Sequence, residues 1–99
     1  MPRKVETSLV IEELATRTAR AILQIEMKKK GWSYRDLAER SNANGIADNE
    51  ANVRNKIGRG TFSARFFIMC LIMMNCHQVD LVWAIQEAGK HLNEGPASE

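Results

Sequence analysis

Gly31-Trp-Ser-Tyr-Arg-Asp-Leu-Ala-Glu-Arg40 reads as a helix stop followed by a helix start. Gly31 ends whatever helix precedes it. Ser33 with Asp36 three residues on fits the capping box, in which the hydroxyl takes a backbone N–H of the first turn and the acidic side chain takes one back. Leu37 and Ala38 then face inward, and Trp32 or Tyr34 staples the beginning of the helix. This second helix ends near Asn42, because Ser41-Asn-Ala-Asn-Gly-Ile-Ala-Asp48 is rich in loop formers and Gly45 can take a positive φ. A third helix starts at Asp48 or Asn49 as N-cap and ends at Gly58 or Gly60. Val53 and Ile57, four apart, are its only large apolar residues and define its buried edge.

Outward from this pair, the periodicity predicts a long first helix from about Ser8 to Lys30. Leu14, Thr18, Ala19, Leu23 and Met27 fall near one of its faces. Lys28-Lys29-Lys30 sits at its C-terminal end, where cations favour the helix dipole. A solvated helix end accounts for the triplet as readily as a phosphate contact does. Ser63 caps a fourth helix whose body, Phe66 to Met74, is apolar all round. That pattern predicts a central core helix buried on most sides. Its Met, Leu, Phe and Cys content argues against a strand, and its methionines read as gap-filling. Asp80 caps a fifth helix to about Leu92, with Leu81, Ala84, Ile85, Ala88 and Leu92 as its apolar stripe. Val82 and Trp83 fall off that stripe, and either cover the edge of the core or meet a second subunit. The only prolines are Pro2 and Pro96, so none interrupts these helices. The expected fold is all-α: five helices in one domain over residues 1–93, with an extended N-terminal helix and a frayed tail over 94–99.

Composition sets the bounds. The 99 residues suit a single domain. Apolar residues at 44% and charged residues at 26% are those of a globular chain rather than a disordered one. No apolar segment follows the opening MPRKVETS, so no secretory signal is expected. The longest apolar run, Phe66 to Met74, has nine residues, whereas a membrane span needs roughly 20; the expected location is the cytoplasm. Cys70 and Cys76 do not have zinc-site or redox-motif spacing and read as small buried hydrophobes. The net charge is +2, but residues 1–65 hold thirteen Lys/Arg against eight Asp/Glu, and residues 66–99 hold one Lys against four acids. Residues 51–65 contain Arg54, Lys56, Arg59 and Arg65 and no acid. A basic first part and an acidic end point to one face for an anionic partner.

The second and third helices with a turn between them, the third one basic, have the pattern of a helix-turn-helix. Gly31-Trp-Ser-Tyr-Arg-Asp-Leu-Ala resembles the G-x-S-x-x-x-L-A start of that motif in lambda-repressor-like (XRE-type) domains. Ile57-Gly-Arg-Gly60 resembles the I-x-R-G that closes the recognition helix in the same family. Arg54-Asn-Lys-Ile-Gly-Arg-Gly-Thr-Phe-Ser63 is similar to a narrower set of small bacterial proteins sharing an R-N-K-I-x-R-G-x-F-S core. The resemblance covers roughly residues 20 to 82. The chain departs from the family in one respect. Leu37 to Gly60 is twenty-three positions, about six more than in the phage-type domains, and the extra residues fall at the turn or at the start of the recognition helix.

With Val53 and Ile57 inward and about 100° per residue, the opposite side of the third helix is Ala51, Asn55 and Arg59, flanked by Asn52 and Gly58. Arg54 and Lys56 lie at its shoulders, and Asn49 stands at the N-terminal end, where recognition helices often enter the groove. Asn pairs with adenine N6 and N7, Arg with guanine O6 and N7, and shoulder cations suit phosphates. Thr61, Ser63 and Arg65 after the helix, and Arg35 early in the second helix, are candidates for backbone contacts. Any polar helix face carries some such residues, so the resemblance bears part of this reading.

No catalytic or metal-ligand spacing accompanies this pattern. His77 and His91 are the only histidines, and Glu12 and Glu13 are adjacent and do not share a helix face. The expectation is therefore a non-enzymatic, cofactor-free transcription regulator that binds double-stranded DNA, as a homodimer built through the first helix or through Trp83 and the fifth helix. The rival expectation is a protein-interaction module, antitoxin-like or an adaptor, that keeps the fold without reading DNA.

Overall fold

The computed structural model describes the backbone of residues 2–94 and the side chains of residues 10–90. Five helices follow one another: α1 (Pro2–Lys30), α2 (Tyr34–Ala43), α3 (Glu50–Arg59), α4 (Ala64–Met73) and α5 (Leu81–Glu94). No strand occurs among the described residues, and the fold is all-α. No helix among them is long and apolar enough to cross a membrane.

The helix starts are written in side chains. Ser33 Oγ accepts the Asp36 N–H at 3.1 Å, and the Asp36 carboxylate accepts the Ser33 N–H at 2.8 Å, completing the capping box of α2. Asn49 accepts from Asn52 N–H at 2.8 Å for α3, Ser63 from Phe66 N–H at 3.0 Å for α4, and Asp80 from Trp83 N–H at 2.9 Å for α5. Each such cap satisfies a donor that the helix cannot, for about 1 kcal/mol. α1 begins at Pro2, earlier than the expected Ser8; proline suits a first helical position because its missing N–H has no partner there anyway. Residues 95–99, most of the expected frayed tail, lie outside the described residues, and Glu94 is the last residue of α5.

Leu23, Leu37, Val53, Ile57, Cys70 and Met74 are the largest fully buried side chains, drawn from α1 to α4 and the α4 C-cap. α1 runs against α3, α4 and α5, and α2 packs on α3 and α4. On α1 the buried positions are Thr18, Ile22, Leu23 and Met27, whereas Leu14 and Ala19 are only half-buried. The inward line on α1 thus includes Ile22, which the sequence stripe left out.

Two packing expectations are corrected. α4 is not a central helix buried on most sides. Cys70 and Leu71 are buried, Phe66, Phe67, Met69 and Met73 are half-buried, and Ile68 and Ile72 are 50% and 69% exposed. α1 and α2 are the helices that cover it, so its far side meets solvent despite being apolar. The stripe of α5 is likewise divided. Ala84 and Ala88 are buried, while Leu81 and Ile85 remain 54% and 38% exposed. The side chain of Leu92 lies outside those described. The two alanines lie at the contact with α1, where small side chains bring helix axes close and leave larger neighbours on the flanks.

Candidate nucleic-acid interface

The connection from α2 to α3 spans Asn44–Asn49, six residues. It is tied down at several points. The Asn42 side chain bonds Asp48 twice, donating from Nδ2 to the carbonyl at 3.0 Å and accepting the N–H on Oδ1 at 3.2 Å. The Ile46 N–H reaches the Ser41 carbonyl at 2.9 Å, and Gly45 turns the chain at φ 81°. The Asp48 carboxylate, 4% exposed, takes the Lys56 ammonium at 3.2 Å. The loop therefore presents α3 from a fixed start.

The far end of α3 is also anchored. Gly60 is its C-cap at φ 69°, a left-handed conformation that glycine adopts without a Cβ penalty. Arg20 of α1 donates from Nη1 to the Gly58 carbonyl at 2.9 Å, using one of the last-turn acceptors that α3 leaves open.

The candidate residues of α3 divide by what already holds them. Asn52, Asn55 and Arg59 are exposed, and their side chains have no hydrogen-bond or ion-pair partner among the described residues. Arg54 pairs with Glu50 one turn back and lies 5.7 Å from the Tyr34 ring centroid. Lys56 holds Asp48 and lies 5.0 Å from the centre of the Phe66 ring. Asn49 spends its carbonyl oxygen on the α3 cap, and Ser63 spends its hydroxyl on the α4 cap. Thr61 and Arg65 follow α3 and are exposed. Arg35 stands on α2 and pairs with Glu39 at 3.4 Å.

The acid-free stretch 51–65 is thus less cationic than it looks. Glu50 and Asp48, just upstream, balance Arg54 and Lys56, and the cations left over are Arg59 and Arg65. Sequence reasoning missed Arg20 and Asn42, which hold the two ends of the α3 platform. The only available signal for Asn42 was its place at a helix end, and nothing local marks Arg20, whose partner lies 38 residues away.

These observations define a small all-α fold, with five helices among the described residues, in which a capped, polar helix is displayed on an apolar core. Its chain belongs to the DUF6471 family, a domain of unknown function, which matches residues 15–79. That span runs from the middle of α1 through α4 and includes both anchors of α3. Neither the curated proteins nor the solved structures compared with the chain give a match.

Proposed function

We propose that this protein is a cytoplasmic, non-enzymatic regulator of transcription that binds double-stranded DNA, with α2 and α3 acting as a lambda-repressor-like helix-turn-helix. The observation that carries the reading is the outward side of α3. Asn52, Asn55 and Arg59 project from a helix fixed at both ends, with their hydrogen-bonding groups unengaged by the described residues. Asn and Arg are the residues that read adenine and guanine edges bidentately in the major groove. Arg65 and Thr61 beside the helix, and Arg35 and Arg54 in exposed ion pairs, supply phosphate contacts. Such pairs are worth about 0–1 kcal/mol, so exchanging a carboxylate for a phosphate costs little. Lys56 differs, because moving it away would strand the poorly exposed Asp48 carboxylate. Its part is to hold the loop.

A homodimer fits this function, since one helix-turn-helix alone buries little DNA surface. Its surface is the apolar groove formed by Ile11, Leu14 and Ala15 of α1, Phe67 of α4, and Leu81 and Ile85 of α5.

The test is fluorescence anisotropy of a labelled random-sequence duplex titrated with the protein between about 50 and 200 mM salt, where phosphate-driven binding falls steeply. After selection of a preferred site, Asn52→Ala, Asn55→Ala and Arg59→Ala should relax sequence preference, by about 1–3 kcal/mol per bidentate contact. Arg65→Ala should weaken binding to every sequence and reduce the salt slope by about one. Absence of binding at the low-salt end would overturn the DNA reading. It would favour the protein-interaction module, for which the exposed Ile68 and Ile72 on α4 are the specific observation.

A further inference from the structure

α5 lies on α1 along Ala84 and Ala88, and a cleft runs on each side of that contact. The Leu81 and Ile85 side is apolar. The opposite cleft, of about 630 Å³, is walled by Arg17, Arg20, Lys28 and Lys29 of α1 and by Trp83 of α5, with Glu87 as the acid among its lining residues. Arg17, Arg20, Gln24 and Lys28 recur three or four residues apart and so form one stripe of α1. Ala21, Ile25 and Ala88 add apolar side chains to the lining. Trp83 is 43% exposed beside these cations.

We propose that this cleft binds a small phosphorylated molecule bearing a planar ring, of which a nucleoside monophosphate is the simplest member. A phosphate monoester carries a charge of about −1.5 to −2 at neutral pH and several acceptor oxygens, which suits a concave site lined by one acid and four cations, three of which are free to engage it. The existing partners leave capacity for it. The Lys28 ammonium has no hydrogen-bond or ion-pair partner among the described residues. Arg20 gives one N–H to the Gly58 carbonyl and keeps the rest of its five donors. Arg17 holds Glu13 within its own helix at 2.7 Å, a pair that exchanges readily at a solvated surface, whereas Lys29 stays with Glu26, whose side chain is only 13% exposed, at 3.3 Å. Trp83 is the aromatic side chain among the lining residues and is exposed, so its indole is available to the ring, and the volume falls within the range of about 300–1,000 Å³ usual for small-ligand sites.

The site does not depend on the DNA reading, but it is joined to the platform that reading uses. Arg20 lines the cleft and also holds the end of α3. Gln24 lines it and donates to the Tyr34 hydroxyl at 3.2 Å, and the Tyr34 ring lies under Arg54. An occupant that engages Arg20 draws on the side chain that ties α1 to α3.

The test is an NMR titration of the isotopically labelled full chain with nucleoside monophosphates of each of the four bases, with the parent nucleosides, and with inorganic phosphate. At least one monophosphate should shift the Trp83 indole N–H and the Gln24 and Lys28 amides saturably, with Kd below about 1 mM. The matching nucleoside and phosphate alone should each bind at least about tenfold more weakly. Lys28→Gln, a change at an exposed position, should weaken the monophosphate at least about fivefold, and Trp83→Leu should bring it down to the affinity of phosphate. The proposal is overturned if no monophosphate gives saturable shifts in the cleft up to about 10 mM. It is equally overturned if phosphate alone binds as well as all four, or if the shifts map to α3 instead of to the cleft.

Discussion

The backbone carbonyl of Thr16 stands where a side chain on Gly60 would begin: a Cβ at Gly60 would lie 2.5 Å from the Thr16 oxygen and 2.8 Å from its methyl carbon. Gly60 is thus held to glycine twice, by its left-handed φ of 69° and by the crossing of α1 over the end of α3. Gly58, two residues earlier, is helical, and no atom of the described residues comes within 4 Å of its would-be Cβ.

The contrast gives a paired prediction. Gly60→Ala should lose about 3 kcal/mol, from the αL penalty plus displacement of backbone. Gly58→Ala should gain about 0.5–1 kcal/mol, because alanine costs less helix entropy. Urea midpoints at unchanged m-value measure both. Shifts of the same sign would remove the α1–α3 crossing as the reason for Gly60.

Thr18 is 5% exposed, and its hydroxyl has no hydrogen-bond partner among the described residues. Thr18→Val keeps the shape and discards the unsatisfied group, so it should stabilise by about 1 kcal/mol, or about 4–8 °C in Tm for a domain of this size. Calorimetry decides it, and a lowered Tm would show that the hydroxyl is bonded in solution.

The two cysteines should differ in reactivity. Burial pushes the Cys70 thiol up to about 12, so almost no thiolate exists at pH 8. Cys76 is half-buried and its thiol is also raised, by burial first and by the Glu26 carboxylate second, but it remains reachable. A thiol reagent at pH 8 should modify Cys76 slowly in the native protein and Cys70 only when denaturant is added. Equal rates at both would contradict the burial of Cys70.

The capping box of α2 should be sensitive to acid. The Ser33 backbone N–H, then its hydroxyl, then Arg35 and Arg40 lower the Asp36 carboxyl below its ordinary 3.8. A carboxyl lowered on folding contributes stability that is fully present above its unfolded value and is lost as pH falls through the folded one. Wild type should therefore exceed Asp36→Asn in stability at pH 7, and the gap should close as the pH drops below 3.8. Chemical denaturation across that range reads the difference, and a gap that persisted at the acid end would assign it to packing rather than to charge.

Local chemistry determined the skeleton of this fold. Ser33 with Asp36, Asn49, Ser63 and Asp80 fix four helix starts through groups at most three residues apart, and Val53 and Ile57 fix the inward edge of α3 through the helical repeat. Such signals need no knowledge of the rest of the chain, so they were legible, as was the outward set Asn52, Asn55 and Arg59. Burial of an apolar helix is another matter. Phe66 to Met74 looks the same from every side, and only the placement of α1 and α2 decides that Cys70 goes inside and Ile72 remains in water. The same holds for charge. Whether Lys56 is open to a partner depends on Asp48, which the folded loop brings to 3.2 Å from it. The hold of Arg20 on Gly58 and the approach of Thr16 to Gly60 join positions about forty residues apart. Those contacts exist only once the helices have packed, because no local pattern encodes which two faces will meet.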